Sequence, residues 1–119
     1  MCVEIYIDGG TRKSNICLVN KDEYECIVKY RKGNLTNNEL EYLALLYALG
    51  YIKDRFSDRH VTIYSDSKLI VNQMSYKWRV TVDSLKILNK KCMMMMNDKI
   101  KIVWVSRKFN LAGHVLERK

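Results

Sequence analysis

The chain has 119 residues and a formal net charge of +8, from 21 Lys plus Arg against 13 Asp plus Glu. With 48% hydrophobic and 29% charged residues it can build one core, so a single domain spanning 1–119 is expected and disorder or collagen-like repetition is excluded. No run approaches the roughly 18 consecutive apolar residues of a membrane span, and the basic balance points to a polyanion such as nucleic acid, with a solvated lysine-rich surface as the alternative.

Met1 leads directly into a strand-like alternation rather than a basic segment followed by an apolar one, which is not the pattern of a secretory leader. Val3, Ile5 and Ile7 alternate with Glu4, Tyr6 and Asp8, and this first strand stops at Gly9-Gly10. Two further alternating runs, Ile16 to Val19 and Tyr24 to Tyr30, flank an Asn20-Lys21-Asp22 turn and complete an antiparallel meander. The chain has no proline, so its turns fall to Gly, Asn, Asp and Ser.

After Gly33-Asn34, the segment Thr36-Asn37-Asn38-Glu39 has the form of a capping box and opens a long apolar helix from Leu40 to Phe56. His60 to Ser65 is a fourth strand. A helix from Lys68 to about Lys77 follows, and a second from Val82 to Asn97 aligns Leu85, Leu88, Cys92 and Met95 on one stripe. At least two of Met93 to Met96 must face the core. Lys99 to Val105 is a fifth strand, and Asn110 to Arg118 has room only for a short helix. Strands separated by helices need crossovers and should lie parallel to the first. The expectation is an α/β fold: a mixed five-stranded sheet with three antiparallel leading strands and two later strands parallel to the first, flanked by helices. Cys2, Cys17, Cys26 and Cys92 form no C-x-x-C pair and suit buried, reduced thiols, which points to a cytoplasmic protein.

Asp8 and Asp66 each stand two residues beyond a tyrosine, Tyr6 and Tyr64, and so share one phase of their strands. If these strands are parallel neighbours, both carboxylates emerge side by side at the carboxyl edge of the sheet, where open α/β sheets bind ligands. Two carboxylates that close repel each other unless a cation lies between them. The competing reading makes both of them turn or helix-cap residues.

The segments Ile5-Tyr6-Ile7-Asp8-Gly9-Gly10, Thr36-Asn37-Asn38-Glu39-Leu40-Glu41-Tyr42-Leu43-Ala44-Leu45 and Val61-Thr62-Ile63-Tyr64-Ser65-Asp66-Ser67-Lys68-Leu69-Ile70-Val71-Asn72-Gln73, in this order and spacing, closely resemble the type 1 ribonuclease H family over essentially the whole chain. The resemblance implies the ribonuclease H-like fold and endonucleolytic hydrolysis of the RNA strand of RNA/DNA hybrids. It also implies four acids that hold two Mg²⁺ ions. Asp8, Glu41 and Asp66 match the first three. Helical periodicity does not choose between Glu39 and Glu41; the family pattern assigns Glu41 to the metals and leaves Glu39 as the capping-box acid.

The family's last motif is an Asn followed four residues later by Asp. Here Arg107-Lys108-Phe109-Asn110-Leu111-Ala112-Gly113-His114 keeps the Asn and places His114 in the acid's position. Imidazole is a metal ligand and would tilt the preference toward Mn²⁺; Glu117, one helical turn further on, is the alternative fourth ligand. By the same resemblance, Gly9, Gly10, Asn15, Thr36, Asn37, Asn38, Ser67, Lys68, Arg107 and Asn110 are candidate substrate contacts. The basic, tryptophan-containing insertion of longer family members has no counterpart, because Lys77-Trp78-Arg79 runs straight into the next helix. Other nucleases of the same superfamily, such as Holliday-junction resolvases, and a catalytically weak nucleic-acid-binding module are the alternatives. No obligate protein partner is evident, and a monomer is expected.

Overall fold

The computed structural model describes residues 2–117; Met1 and the tail positions Arg118 and Lys119 lie outside them. Strands β1 (Cys2–Gly10), β2 (Asn15–Asn20) and β3 (Glu25–Tyr30) form the expected antiparallel meander. The second turn is organised by the buried Asn20, whose Oδ1 accepts from the backbone N–H groups of Asp22 and Glu23 at 3.1 and 3.2 Å. Helix α1 (Asn37–Arg55) then crosses to β4 (His60–Ser65), which lies parallel to β1. Helices α2 (Lys68–Met74) and α3 (Asp83–Met95) lead to β5 (Ile100–Trp104), parallel to β4. A short 3₁₀ turn over 107–109 precedes α4 (Leu111–Glu117). The sheet order is β3-β2-β1-β4-β5, so the two strands that carry Asp8 and lead to Asp66 are the central pair.

The alternation read in the sequence is the division between the two faces of the sheet. Val3, Ile5 and Ile7 of β1, Ile16 and Leu18 of β2, and Val61 and Ile63 of β4 are all buried. Each such aliphatic side chain contributes about 1.5–3 kcal/mol of transfer free energy. Helix α1 packs on β1 and β2 with one side and on α3 with another. The three helices are further joined by a polar link inside the apolar layer: the Tyr42 hydroxyl donates to Gln73 Oε1 at 2.7 Å and accepts from Asn89 Nδ2 at 3.0 Å. No helix among the described residues is long and apolar enough to cross a membrane.

Several boundaries differ from the sequence reading for local reasons. Helix α2 stops three residues earlier than expected because Tyr76 adopts φ 65°, turning the chain so that the N–H groups of Lys77 and Trp78 both reach the Asn72 carbonyl. Of the four cysteines, Cys17 and Cys92 are buried as expected, but Cys2 and Cys26 are exposed. Met93, Met95 and Met96 pack against the core and Met94 faces solvent.

Candidate active site

The central strand pair sets the site. Tyr6 of β1 is in register with Tyr64 of β4, and their rings stack with centroids 4.7 Å apart. Two residues further along each chain, Asp8 and Asp66 therefore leave the sheet side by side. Glu41 comes from the first turns of α1, and it reaches them because α1 meets β1 at Gly9: a Cβ on Gly9 would lie 2.4 Å from the Leu40 carbonyl oxygen. The Gly9 N–H donates to Glu41 Oε1 at 2.8 Å and aims the carboxylate along the strand end. Carboxylate oxygens of Asp8, Glu41 and Asp66 all lie within 4.8 Å of one another.

The cap separates the two glutamates. Thr36 Oγ1 accepts from the Glu39 N–H at 3.1 Å, and Glu39 Oε1 accepts from the Thr36 N–H at 2.8 Å. That reciprocal pair is worth about 1 kcal/mol to the helix start. It holds Glu39 away from the cluster, while Glu41 is 5% exposed and belongs to it.

Packing three carboxylates this tightly out of water is unfavourable. Burial, and then the neighbouring Asp66, push the Asp8 carboxyl up to about 6. Burial, followed by Asp8 and Asp66, pushes Glu41 up to about 9. Asp8 Oδ1 is buried with no hydrogen-bond partner. Hard oxygen donors with one unsatisfied buried lone pair fit a divalent cation such as Mg²⁺ or Mn²⁺. Both pKa values are raised above their ordinary 3.8 and 4.5, so the stability tied to them is complete below about pH 4 and is lost as pH rises through 6 and on toward 9. Chelator-treated protein should therefore melt lower at pH 9 than at pH 5, and added Mn²⁺ should restore the alkaline melting point. A melting temperature that is flat with pH in chelator, or indifferent to Mn²⁺ at pH 9, would contradict this arrangement.

Arg107 closes the cluster. Its Nη1 donates to Asp8 Oδ2 at 2.9 Å and to Asp66 Oδ2 at 3.0 Å, and its Nε donates to Glu117 Oε1 at 3.0 Å. Asn110, fully buried, donates through Nδ2 to the Ile7 carbonyl at 3.0 Å and to Asp66 Oδ2 at 2.8 Å. Two residues read from the sequence as substrate contacts thus hold carboxylates. His114 is not among the side chains that come within 4.8 Å of one another at the cluster, and Glu117 is engaged by Arg107. The sequence did carry a signal for Arg107: a basic side chain three residues before Asn110, inside the motif that otherwise supplies an acid.

The remaining candidates divide. Thr36, Asn37 and Asn38 stand exposed at the start of α1. Asn15 opposes Gly10 at the base of the first hairpin, is 3% exposed, and its Nδ2 has no partner. With Asp8, Arg12, Lys13 and Arg107 it lines a cavity of about 90 Å³. Ser67 caps α2 through Ile70, and Lys68 lies 5.1 Å over the ring of Trp104, whose Nε1 donates to the Asp66 carbonyl.

The sequence matches the reverse transcriptase-like family over residues 9–118. Among solved structures, the chain is similar to the N-terminal RNase H domain of a Mycobacterium tuberculosis protein, studied as a fusion with maltose-binding protein. That match has a TM-score of 0.76 and 26% identity, and covers 98% of this chain and 95% of the other. It is also similar to an RNase H1 isolated from compost, with a TM-score of 0.77 and 29% identity, covering 96% and 91%. The compost enzyme in complex with an RNA/DNA hybrid matches with a TM-score of 0.75 and 28% identity, covering 92% and 88%. No curated protein matches the sequence. The five-stranded mixed sheet and its order are those of the RNase H fold.

Proposed function

Because the chain belongs to the reverse transcriptase-like family, we propose that it is a divalent-metal-dependent ribonuclease H that hydrolyses the RNA strand of RNA/DNA hybrids, with Asp8, Glu41 and Asp66 as the metal-holding acids. The observation that carries the reading is the convergence of these three carboxylates, from β1, α1 and the end of β4, within 4.8 Å of one another. Likeness to an RNase H1 that binds an RNA/DNA hybrid supports the substrate.

A divalent ion held there supplies positive charge to the phosphodiester and acidifies a water for in-line attack. The chain's own residues do the rest. Gly9 and Asn110 fix Glu41 and Asp66 by hydrogen bonds, so the carboxylates present their free oxygens without reorganising. Asn37 and Asn38, exposed at the start of α1, offer amide groups to the minor groove, where the 2′-hydroxyl distinguishes RNA from DNA. Thr36, and Arg12 and Lys13 beside the Asp8 cavity, face the phosphates. The three converging acids offer only oxygen, which suits Mg²⁺, and imidazole from His114 would tilt the preference toward Mn²⁺. The connection over 75–82, without a helix of its own, supports the absence of a basic insertion, and hybrid binding should be salt-sensitive and depend on dispersed lysines and arginines.

The experiment is a labelled RNA/DNA hybrid, a DNA duplex and a four-way DNA junction, each incubated with the chain and Mg²⁺. Cleavage confined to the RNA strand of the hybrid is expected. Cutting of the junction would favour a resolvase, and binding without cutting would favour a non-catalytic module.

A further inference from the structure

The family pattern named in the sequence places two divalent ions among four acids, so charge is balanced. Here, among the described residues, three acids converge on one another and a guanidinium is set against two of them. Arg107 Nη1 sits between Asp8 Oδ2 and Asp66 Oδ2, 2.9 and 3.0 Å away, and so puts a positive charge against both carboxylates. The guanidinium is held from behind by Glu117 at 3.0 Å. It also lies against α4 at Gly113, where a Cβ would come within 3.2 Å of its Cζ and Nη1, so a larger residue would press it out of place. On the other side of Asp8, Oδ1 is buried and has no partner.

We infer that Arg107 is a built-in cation that takes the place of one of the two metal ions, so that this site loads a single divalent ion, on the side of Asp8 away from the guanidinium. The guanidinium, shared with Glu117, already supplies one positive charge to Asp8 and Asp66 before any divalent ion binds. A second ion would stand against Arg107 at contact distance, where repulsion is strong. The side chain differs from an ion in two respects that matter chemically: it is directional, and it is present before any metal arrives. Its fixed position lets it face a phosphoryl oxygen at the carboxylate edge. This rests on the proposed reading of the cluster as a metal-loading site.

The test counts ions without nucleic acid. The intact chain is titrated with Mn²⁺, and uptake is followed by paramagnetic resonance of the free ion and by calorimetry. One ion per chain is expected for the natural sequence and for Arg107→Lys, and two for Arg107→Gln. Two ions, or none, in the natural chain would overturn the inference, as would a single ion in Arg107→Gln. Folding of each variant is checked by its melting curve. If Arg107→Gln does not fold, Arg107→Met carries the test: it keeps the aliphatic bulk, removes the guanidinium from Asp8 and Asp66, and should admit a second ion. Hybrid cleavage is scored separately. One ion in a chain that cuts no hybrid would remove the proposed activity and leave this inference, and two ions in a chain that cuts hybrid would do the reverse.

Discussion

Asp8→Asn should lower hybrid cleavage by about three orders of magnitude or more while leaving the chain folded, since a metal-holding carboxylate commands several kcal/mol of transition-state stabilisation. Asp8 is the member of the cluster with most to lose. One of its oxygens is bound by Arg107, the other is buried without a partner, and the residue is 1% exposed. An amide keeps the shape but replaces one acceptor by a donor and removes a charge. The same change relieves the crowding that pushes Asp8 up to about 6 and Glu41 up to about 9. The variant should therefore melt no lower than the natural chain at pH 8 in chelator, and it should bind Mn²⁺ far more weakly. Initial rates on labelled hybrid under saturating Mg²⁺, read beside melting curves, check both halves. A variant that cuts at full rate would remove the assigned site, and one that fails to fold would show that Asp8 serves the fold instead.

How far the site could be read from the residues depends on how local each constraint is. The pairing of Asp8 with Asp66 was legible because strands have period two: equal offsets from Tyr6 and Tyr64 fix the phase, and the observed register puts those tyrosines opposite each other. The role of Glu39 was legible because a capping box is closed within four residues. Helical periodicity, by contrast, could not assign Glu41. Helix α1 is buried on several sides, with Leu40, Tyr42, Ala44, Leu45, Ala48 and Leu49 all inside, so apolar residues mark no single face. The end of the chain was least legible. Whether His114, Glu117 or Arg107 meets the carboxylates is decided by how α4 docks on β1 and β2, a contact between segments about a hundred residues apart. The exposure of Cys2 and Cys26 belongs to the same class: a strand assignment gives a residue's phase but not whether anything covers that face.

Gly9→Ala should be the most damaging small substitution for stability, at about 3 kcal/mol, on the order of 10 °C in melting temperature. The added Cβ would fall 2.4 Å from the Leu40 carbonyl oxygen, 2.5 Å from its carbon and 2.9 Å from the Glu41 nitrogen. These are backbone atoms of α1 and cannot rotate away, so the start of the helix must lift off β1. Lifting it lengthens the Gly9-to-Glu41 hydrogen bond, now 2.8 Å, and carries Glu41 out of reach of Asp8 and Asp66. Mn²⁺ affinity should thus fall together with stability. The adjacent Gly10→Ala is the control, because a Cβ there meets nothing within 4 Å. Replacing a strand glycine where there is room should be neutral or stabilising by about 0.5–1 kcal/mol. Urea unfolding of the two variants, with Mn²⁺ titrations on each, separates a steric requirement at one position from a general preference for flexible backbone at the strand end. Equal midpoints for Gly9→Ala and Gly10→Ala would mean that the close approach of α1 to β1 is not what holds Glu41 in the site.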